Sequence, residues 1–198
     1  MSRSQGEQDC ARPAEGRAFL SVLNRRNLPG LAAQLLFWST VVVGVALDLW
    51  TKSVVFDFLR DRPGQRFVVI DGFIQLVIAL NPGAAFGLFS GSPVVLLAVS
   101  LAAAVVFVLL FLFGTPRGAG LVHLALGLVT AGVCGNLYDR LFNGGYVRDF
   151  IDVVVWPGRH WPAFNVADSM LCIGVGLMAV SLFLTTDRPV QERARQHK

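Results

Sequence analysis

Charged residues are scarce in this 198-residue chain, at 15% of the sequence against about 25% in ordinary soluble domains. Hydrophobic residues make up 54%. A water-soluble fold of this composition would have too little polar surface to cover itself. The composition therefore argues against an ordinary soluble domain and is typical of a membrane protein, with a length that allows one domain or two small ones.

Cysteine and histidine are equally scarce, with three of each. No Cys-x-x-Cys motif occurs and the cysteines are not an even set, so no disulfide framework is predicted. The histidines are scattered, which disfavours a histidine-based metal site, and we predict neither metal nor cofactor. A lipidation site at Cys10 would need an apolar segment before it, whereas residues 1–9 are polar. The remaining residues of these types are Cys134, Cys172, His123, His160 and His197.

The net charge of +4 is not gathered into the single run or face that a nucleic-acid binder would show. Much of it lies near the two ends of the chain, where basic residues flank apolar segments. Such flanks are typical of the cytoplasmic side of a membrane, where they also meet anionic lipid headgroups. We therefore expect membrane lipids, and no nucleic acid, as partners. The terminal basic residues are Arg12, Arg17, Arg25, Arg26, Arg188, Arg193, Arg195 and Lys198.

Four apolar stretches, at about 31–50, 92–113, 119–138 and 166–185, are each near the roughly 20 residues that a bilayer crossing requires. A cleaved signal peptide is the alternative for the first stretch. Its length, the lack of a small-x-small cleavage site and the spans that follow favour an uncleaved helix. Four crossings put both termini on one side, and the basic flanks make that side cytoplasmic. Residues 1–30 and 187–198 are predicted to be cytoplasmic tails.

The segment at about 60–91, between the first two spans, has a different pattern. Residues 67–70 and 73–80 are rich in β-branched and aromatic residues and flank Asp71-Gly72, a favoured two-residue turn, which predicts a β-hairpin. A fifth, short membrane segment is the alternative, and Arg66 and Asp71 argue against it. The predicted fold is an all-α polytopic membrane protein with four transmembrane helices. A small extracytoplasmic β-sheet and an outer loop or lid between helices 3 and 4 complete it.

Polar residues gather where the predicted spans reach the outer interface. Charges at that depth are costly unless they are paired or hydrated, and they mark a functional site by default. Snorkelling and helix capping are the structural alternative, with Asn165 as a candidate N-cap. That alternative explains arginine and lysine better than it explains the short side chain of Asp168. The gathered residues are Asp48, Lys52, Asn136, Asp139, Arg140, Asp149, Asn165 and Asp168.

Two carboxylates at one water-accessible site of low dielectric are suited to acid–base hydrolysis, because the pair tends to share one proton. No serine–histidine pair and no Gly-x-Ser-x-Gly elbow before a helix offers a competing nucleophile. A small transporter or ion-relay subunit would place charge near mid-depth, where only His123 is found. A non-enzymatic anchoring protein would not explain why the acids, asparagines and arginine gather at one place.

At these residues the chain resembles the lipoprotein signal peptidases of type II, over about residues 40–185. The resemblance rests on four blocks that occur in order, with spacing similar to that of the family. Each block is weak alone, and the four are strong together on four spans. The blocks are Asp48-Leu-Trp-Thr-Lys52, Asn81-Pro-Gly-Ala-Ala-Phe-Gly87, Gly135-Asn-Leu-Tyr-Asp-Arg140 continuing to Gly145-Tyr-Val-Arg-Asp-Phe150, and Phe164-Asn-Val-Ala-Asp168.

The resemblance implies that Asp149 and Asp168 are catalytic and that Asp139 is a supporting residue. The chain departs from the family pattern at Arg148, where valine is usual, and in the Asn143-Gly144-Gly145 loop, which is about one residue longer. The resemblance also assigns residues to the substrate, to the loop that closes over the dyad and to ordering of the site. These are Asn136, Arg140, Asn165, Ala167, Asn81, Gly83, Asp48 and Lys52.

The activity that the resemblance implies is that of a membrane aspartic endopeptidase. It would remove the signal peptide from diacylglyceryl-modified prolipoproteins by cutting before the lipidated cysteine of the lipobox. Globomycin-like inhibitors are expected to bind. The implied location is the bacterial inner membrane, with the active site at its outer face.

Overall fold

The computed structural model describes residues 28–83, 92–115 and 118–186, without the side chains of residues 185 and 186. Nearly all of the two predicted tails, with Cys10 and His197, lies outside the described residues, as do residues 84–91. Four long helices and a four-stranded sheet make up the described part. The helices are α1 (Leu31–Arg60), α2 (Pro93–Gly114), α3 (Gly120–Phe142) and α4 (Val166–Thr186), and the strands are β1 (Arg66–Ile70), β2 (Ile74–Asn81), β3 (Val147–Trp156) and β4 (Arg159–His160).

All four helices are long and apolar enough to cross a membrane, with mean hydropathy between 1.6 and 3.1. Their outward side chains are apolar and exposed, as Leu31, Val94 and Phe183 illustrate with exposed fractions of 76%, 77% and 73%. Apolar side chains that face away from a protein interior suit contact with lipid. The four predicted spans are therefore confirmed, and those of α2, α3 and α4 lie close to the predicted bounds.

The predicted end of the first span is wrong, because α1 continues to Arg60 rather than ending near Trp50. Its 30 residues make a helix about 45 Å long, against a hydrocarbon core of about 30 Å. Asp48 and Lys52 suggested a membrane interface, but both are fully buried and paired with each other inside the bundle. Because Asp48 and Lys52 neutralise each other inside the bundle, the helix does not have to end at these residues.

The sheet is antiparallel throughout, in the order β1-β2-β3-β4. The predicted hairpin is present, but its loop has three residues, since Ile70 pairs with Ile74 around Gly72, whose φ is 66°. The segment predicted as a loop between α3 and α4 contains β3 and β4. Because β3 pairs with β2 from Asn81↔Val147 to Ile74↔Val153, it holds its side chains in a fixed register.

The helix α3 is the centre of the bundle and packs against α1, α2 and α4. In one part of the core the rings of Phe37 and Phe111 stack with centroids 3.9 Å apart. Nearer the sheet, Ala131 of α3 packs with Ala167 and Met170 of α4. Small residues there let the helices approach closely. A Cβ on Gly135 would lie 2.5 Å from Asp48 Oδ2, so only glycine leaves room for that buried carboxylate.

Candidate active site

Asp168 lies in the first turn of α4, where Asn165 caps the helix. The Asp168 backbone N–H donates to Asn165 Oδ1 at 3.0 Å, and the Asn165 backbone N–H donates to Asp168 Oδ2 at 3.2 Å. This reciprocal pairing across three residues is a capping box. The capping role weighed as an alternative for Asn165 is therefore real, and it coexists with a place in the site.

The side-chain amide of Asn165 connects the two candidate catalytic acids. Its Nδ2 donates to Asp149 Oδ1 at 2.6 Å and to Asn136 Oδ1 at 3.1 Å. Asn136 in turn donates from Nδ2 to Asp168 Oδ1 at 2.8 Å. Asp149 of β3 and Asp168 of α4 are thus held at one place by two asparagines, although 19 positions separate them in the sequence.

Asp149 is 2% exposed and accepts a second bond, from Asn81 Nδ2 at 3.0 Å. Asn81 ends β2, and its Oδ1 accepts from the Gly83 backbone N–H at 2.9 Å. Burial, together with the nearby charge of Asp168, raises the pKa of Asp149 from 3.8 to about 6. The bonds from the two asparagines and the charge of Lys52 oppose that rise. The carboxyl of Asp149 is therefore poised to hold or release a proton near neutral pH.

Four charged residues beside the dyad, here called the ion cluster, are the buried Asp48, Lys52 and Asp139 and the partly buried Arg148. Lys52 Nζ lies 2.7 Å from Asp48 Oδ2 and 3.1 Å from Asp139 Oδ2, and it donates to Asn136 Oδ1 at 3.0 Å. The ammonium group of Lys52 therefore has two hydrogen-bond acceptors and a second ion-pair partner. Asp48 Oδ1 accepts the Ala167 backbone N–H at 2.9 Å, which joins α1 to the beginning of α4.

Arg140 joins the end of α3 to α2 and to the segment after β2. Its guanidinium donates to Ser100 Oγ at 3.3 Å, to the Gly83 carbonyl at 3.2 Å and to the Asn136 carbonyl at 3.4 Å. Its Nε is buried and has no hydrogen-bond partner among the described residues. A cation with an unused donor beside two acids is suited to binding a substrate carbonyl.

A cavity of about 640 Å³ opens next to Asp168 and runs along α4. Its polar end has Asn136, Arg140 and Asp168, and Asn81 and Gly83 form part of the wall. Asp149 lies behind that wall, bonded to Asn81. The rest of the lining is mostly apolar, so this α4 cavity combines a few polar groups with a surface suited to hydrocarbon. Its other lining residues include Val147, Trp161, Phe164, Leu171, Cys172 and Ile173.

All the predicted site residues therefore meet at the sheet end of the bundle. The helical members of this set lie in the later parts of α1 and α3 and in the first turn of α4. Because these parts meet at one end of the bundle, α4 runs in the opposite direction to α1 and α3. No group of three or more His, Cys, Asp or Glu side chains suited to a metal ion occurs within the described ranges. Asn81, Asn136, Arg140 and Asp168 line the cavity, and Asp149 and Asn165 are buried behind them.

Sequence reasoning missed two features near the site. The first is the partnership of Arg148 with Asp139, whose atoms lie 2.7 Å apart. The second is a polar cluster on the sheet, in which Gln75 Nε2 donates to Asp152 Oδ2 and His160 Nδ1 lies 2.8 Å from the same carboxylate. A strand predicted at residues 147–156 would have indicated both features, because Arg148 then lies beside α3 and Asp152 beside β2.

We expect Asp152→Ala to weaken the sheet, because Asp152 holds one residue of β2 and one of β4. Loss of its carboxylate leaves Gln75 buried without that acceptor, and the cost is about 1–3 kcal/mol. Thermal unfolding of the purified protein in detergent measures it. Asp57→Ala is the control, since the Asp57–Arg60 pair is 66% and 70% exposed and contributes little. Equal losses in the two variants would contradict a structural role for the polar cluster.

Comparisons with known proteins agree with one another. The family model for signal peptidase (SPase) II matches residues 40–184. A lipoprotein signal peptidase of Rhodopirellula baltica is 38% identical over 171 residues, covering 78% of this chain and 74% of its own. One of Desulfitobacterium hafniense is 38% identical over 157 residues, covering 78% and 96%.

A solved bacterial membrane enzyme structure, obtained by the in meso method at 2.3 Å resolution, matches with a TM-score of 0.69 and 30% identity. The match covers 82% of this chain and 94% of that one. A second such structure, at 1.9 Å resolution, gives a TM-score of 0.64. The fold, the family match and the identities together show that the chain belongs to the signal peptidase II family.

Proposed function

We propose that the protein is a membrane aspartic endopeptidase that removes the signal peptide from diacylglyceryl-modified prolipoproteins, cutting before the lipidated cysteine. Membership of the signal peptidase II family supports peptidase activity, and its relatives are named lipoprotein signal peptidases. The observation that carries the aspartic mechanism is the bridge through Asn165, which bonds Asp149 at 2.6 Å and Asp168 at 3.2 Å. An ion-relay function has no such support, since His123 is a buried residue paired with Thr115.

The two acids would share one proton and act on a water molecule between them. The ionised acid takes a proton from the water, whose oxygen attacks the scissile carbonyl carbon while the protonated acid donates to the carbonyl oxygen. The tetrahedral intermediate then collapses and the C–N bond breaks: the amine leaves with the proton that came from the water, and one hydroxyl of the intermediate returns a proton to the other acid, which restores the singly protonated dyad. Burial and the charge of Asp168 raise the pKa of Asp149 to about 6, which allows this carboxyl to take up and release the shared proton near neutral pH. Access to Asp149 requires the bond from Asn81 to open.

The α4 cavity would receive the substrate. Its apolar lining, with Leu171 and Ile173 on α4, suits the acyl chains of the lipidated cysteine. Arg140 and Asn136 stand at its polar end and would bind the peptide backbone near the scissile bond. The same surface would bind a globomycin-like inhibitor.

We infer an orientation with both termini in the cytoplasm and the sheet outside the inner membrane. Basic residues near both ends of the chain support it. The dyad then lies at the outer interface, where water is available. Release of the signal peptide from a synthetic diacylglyceryl-modified prolipopeptide by the purified, reconstituted protein, followed by mass spectrometry, tests the function.

The activity should fall as pH rises above about 6, the pKa of Asp149. The acid is protonated below that value and loses its proton above it, so the singly protonated dyad is depleted about tenfold per pH unit. The charged groups facing Asp149 are Asp168, Lys52 and Arg140. The profile of kcat/KM measures the free enzyme. A flat profile from about pH 5 to pH 8 would exclude Asp149 as the titrating acid.

A further inference from the structure

We propose that Arg148 is a positioning residue of the site, which clamps the start of β3 to α3 through Asp139 and so directs the carboxylate of Asp149 toward Asp168. The inference rests on the proposed function and adds a residue to it. Arg148 occupies a position where the family resemblance led us to expect valine, an apolar side chain that could not make such a clamp.

Arg148 binds Asp139 with its main chain and its side chain together. The backbone N–H donates to Asp139 Oδ2 at 3.0 Å, and Nε and Nη2 donate to Oδ1 at 3.0 and 2.7 Å. The backbone bond alone would let the strand pivot about one point. Three bonds to a fully buried carboxylate fix the direction in which the strand leaves the helix.

The backbone carbonyl of Arg148 is held as well. Its carbonyl oxygen accepts from Asn165 Nδ2 at 3.4 Å, and that nitrogen is the one bonded to Asp149 Oδ1. The N–H of Arg148 therefore faces α3, and its carbonyl faces the residue before α4. Because peptide units are planar, fixing both groups leaves Asp149 little freedom to turn away from Asp168.

The segment before Arg148 cannot provide this constraint by itself. Residues 143–146 form a tight turn in which Gly144 and Gly145 have φ of 62° and 90°. Glycines in such conformations carry no side chain that packs the turn in place. The strand that follows therefore depends on contacts at Arg148 and on its pairing with β2.

The positive charge of Arg148 contributes to the site in addition to its hydrogen bonds. In the ion cluster two carboxylates, Asp48 and Asp139, face two cations, Lys52 and Arg148. Loss of Arg148 leaves one net negative charge near Asp149, which disfavours ionisation of that acid. Asp168, Lys52 and Arg140, which face Asp149 directly, are unchanged by the substitution. Valine removes the two side-chain bonds and the charge but keeps the backbone bond. Glutamine removes the charge, and lysine keeps the charge without the planar fork.

The test compares Arg148→Val, Arg148→Gln and Arg148→Lys with the wild type, using the full-length protein and the lipidated prolipopeptide. We expect Arg148→Val to lower kcat about tenfold or more with little change in KM, since small misplacements of a reacting group are costly. Lysine should restore part of kcat. The basic limb of the pH profile should move to higher pH in the valine and glutamine variants and not in the lysine variant. Arg66→Val, at an exposed position on β1, is the matched control and should leave kcat and the pH profile unchanged.

Wild-type kcat and an unshifted pH profile in Arg148→Val would overturn the inference. If the valine variant fails to fold, the lysine and glutamine variants decide, and identical pH profiles for both overturn the charge argument and the inference with it. An inactive wild-type protein would overturn the proposed function itself. That result differs from an active wild type accompanied by an equally active valine variant, which overturns only the role of Arg148.

Discussion

Asparagine in place of Asp168 is expected to abolish release of the signal peptide, and Asp149→Asn should do the same. Loss of a positioned acid or base costs roughly 100-fold to 10,000-fold in rate, and the neighbouring carboxylates of Asp48 and Asp139 are engaged in ion pairs. Asp168→Asn keeps the shape of the side chain. It also keeps an oxygen that can accept the Asn165 backbone N–H of the capping box, so the fold should survive while the chemistry is lost.

The reconstituted assay with the lipidated prolipopeptide measures this loss. Asp57→Asn is the control, because Asp57 is an exposed acid near the end of α1, with a side chain 66% exposed. It should retain full activity. Processing by Asp168→Asn at the wild-type rate would eliminate the dyad, whatever the other variants show.

Removal of the buried ammonium group is the second large effect that we expect. Lys52→Met leaves Asp48 without its cation, and the neighbouring Asp139 then relies on Arg148 alone. Breaking one partner of a buried ion pair costs about 3–5 kcal/mol, which is a large share of the stability of a typical domain. We expect a marked fall in the melting temperature of the detergent-purified protein and in the yield of folded protein.

Two further variants separate charge from packing. Arg60→Met removes a cation from the same helix where the side chain is 70% exposed, and it should change the melting temperature little. Asp48→Asn combined with Lys52→Met removes both members of the pair and should recover part of the loss. If the double variant is no more stable than Lys52→Met, then packing of the lysine stem, rather than its charge, holds the bundle together.

The sequence predicted four apolar helices, and a polar cluster at their ends, because both signals are local. Apolar stretches of about 20 residues mark α2, α3 and α4, and polar residues within or beside them mark the site. The end of α1 was mispredicted because Asp48 and Lys52 resemble an interface until their mutual contact is known. Such a pairing depends on side-chain geometry, which composition does not reveal.

The strands between α3 and α4 were missed for a related reason. Arg148, Asp149 and Asp152 interrupt the alternation that marks a strand, and their partners lie on other elements of the fold. Arg148 needs Asp139, and Asp152 needs Gln75, 77 positions away. Long-range partners turn a segment that resembles a loop into the strand that carries one of the candidate acids.

The dyad is divided between β3 and the beginning of the last helix, and Asp48 of the first helix accepts the backbone N–H of Ala167 in that last helix. A chain whose last helix is not yet in the membrane therefore lacks Asp168, the bridging asparagine and the backbone N–H that Asp48 accepts. Proteolytic competence would arise only when the last helix docks. Under the proposed function, the order of insertion would therefore keep an unfinished copy of the protein inactive until both acids are in place.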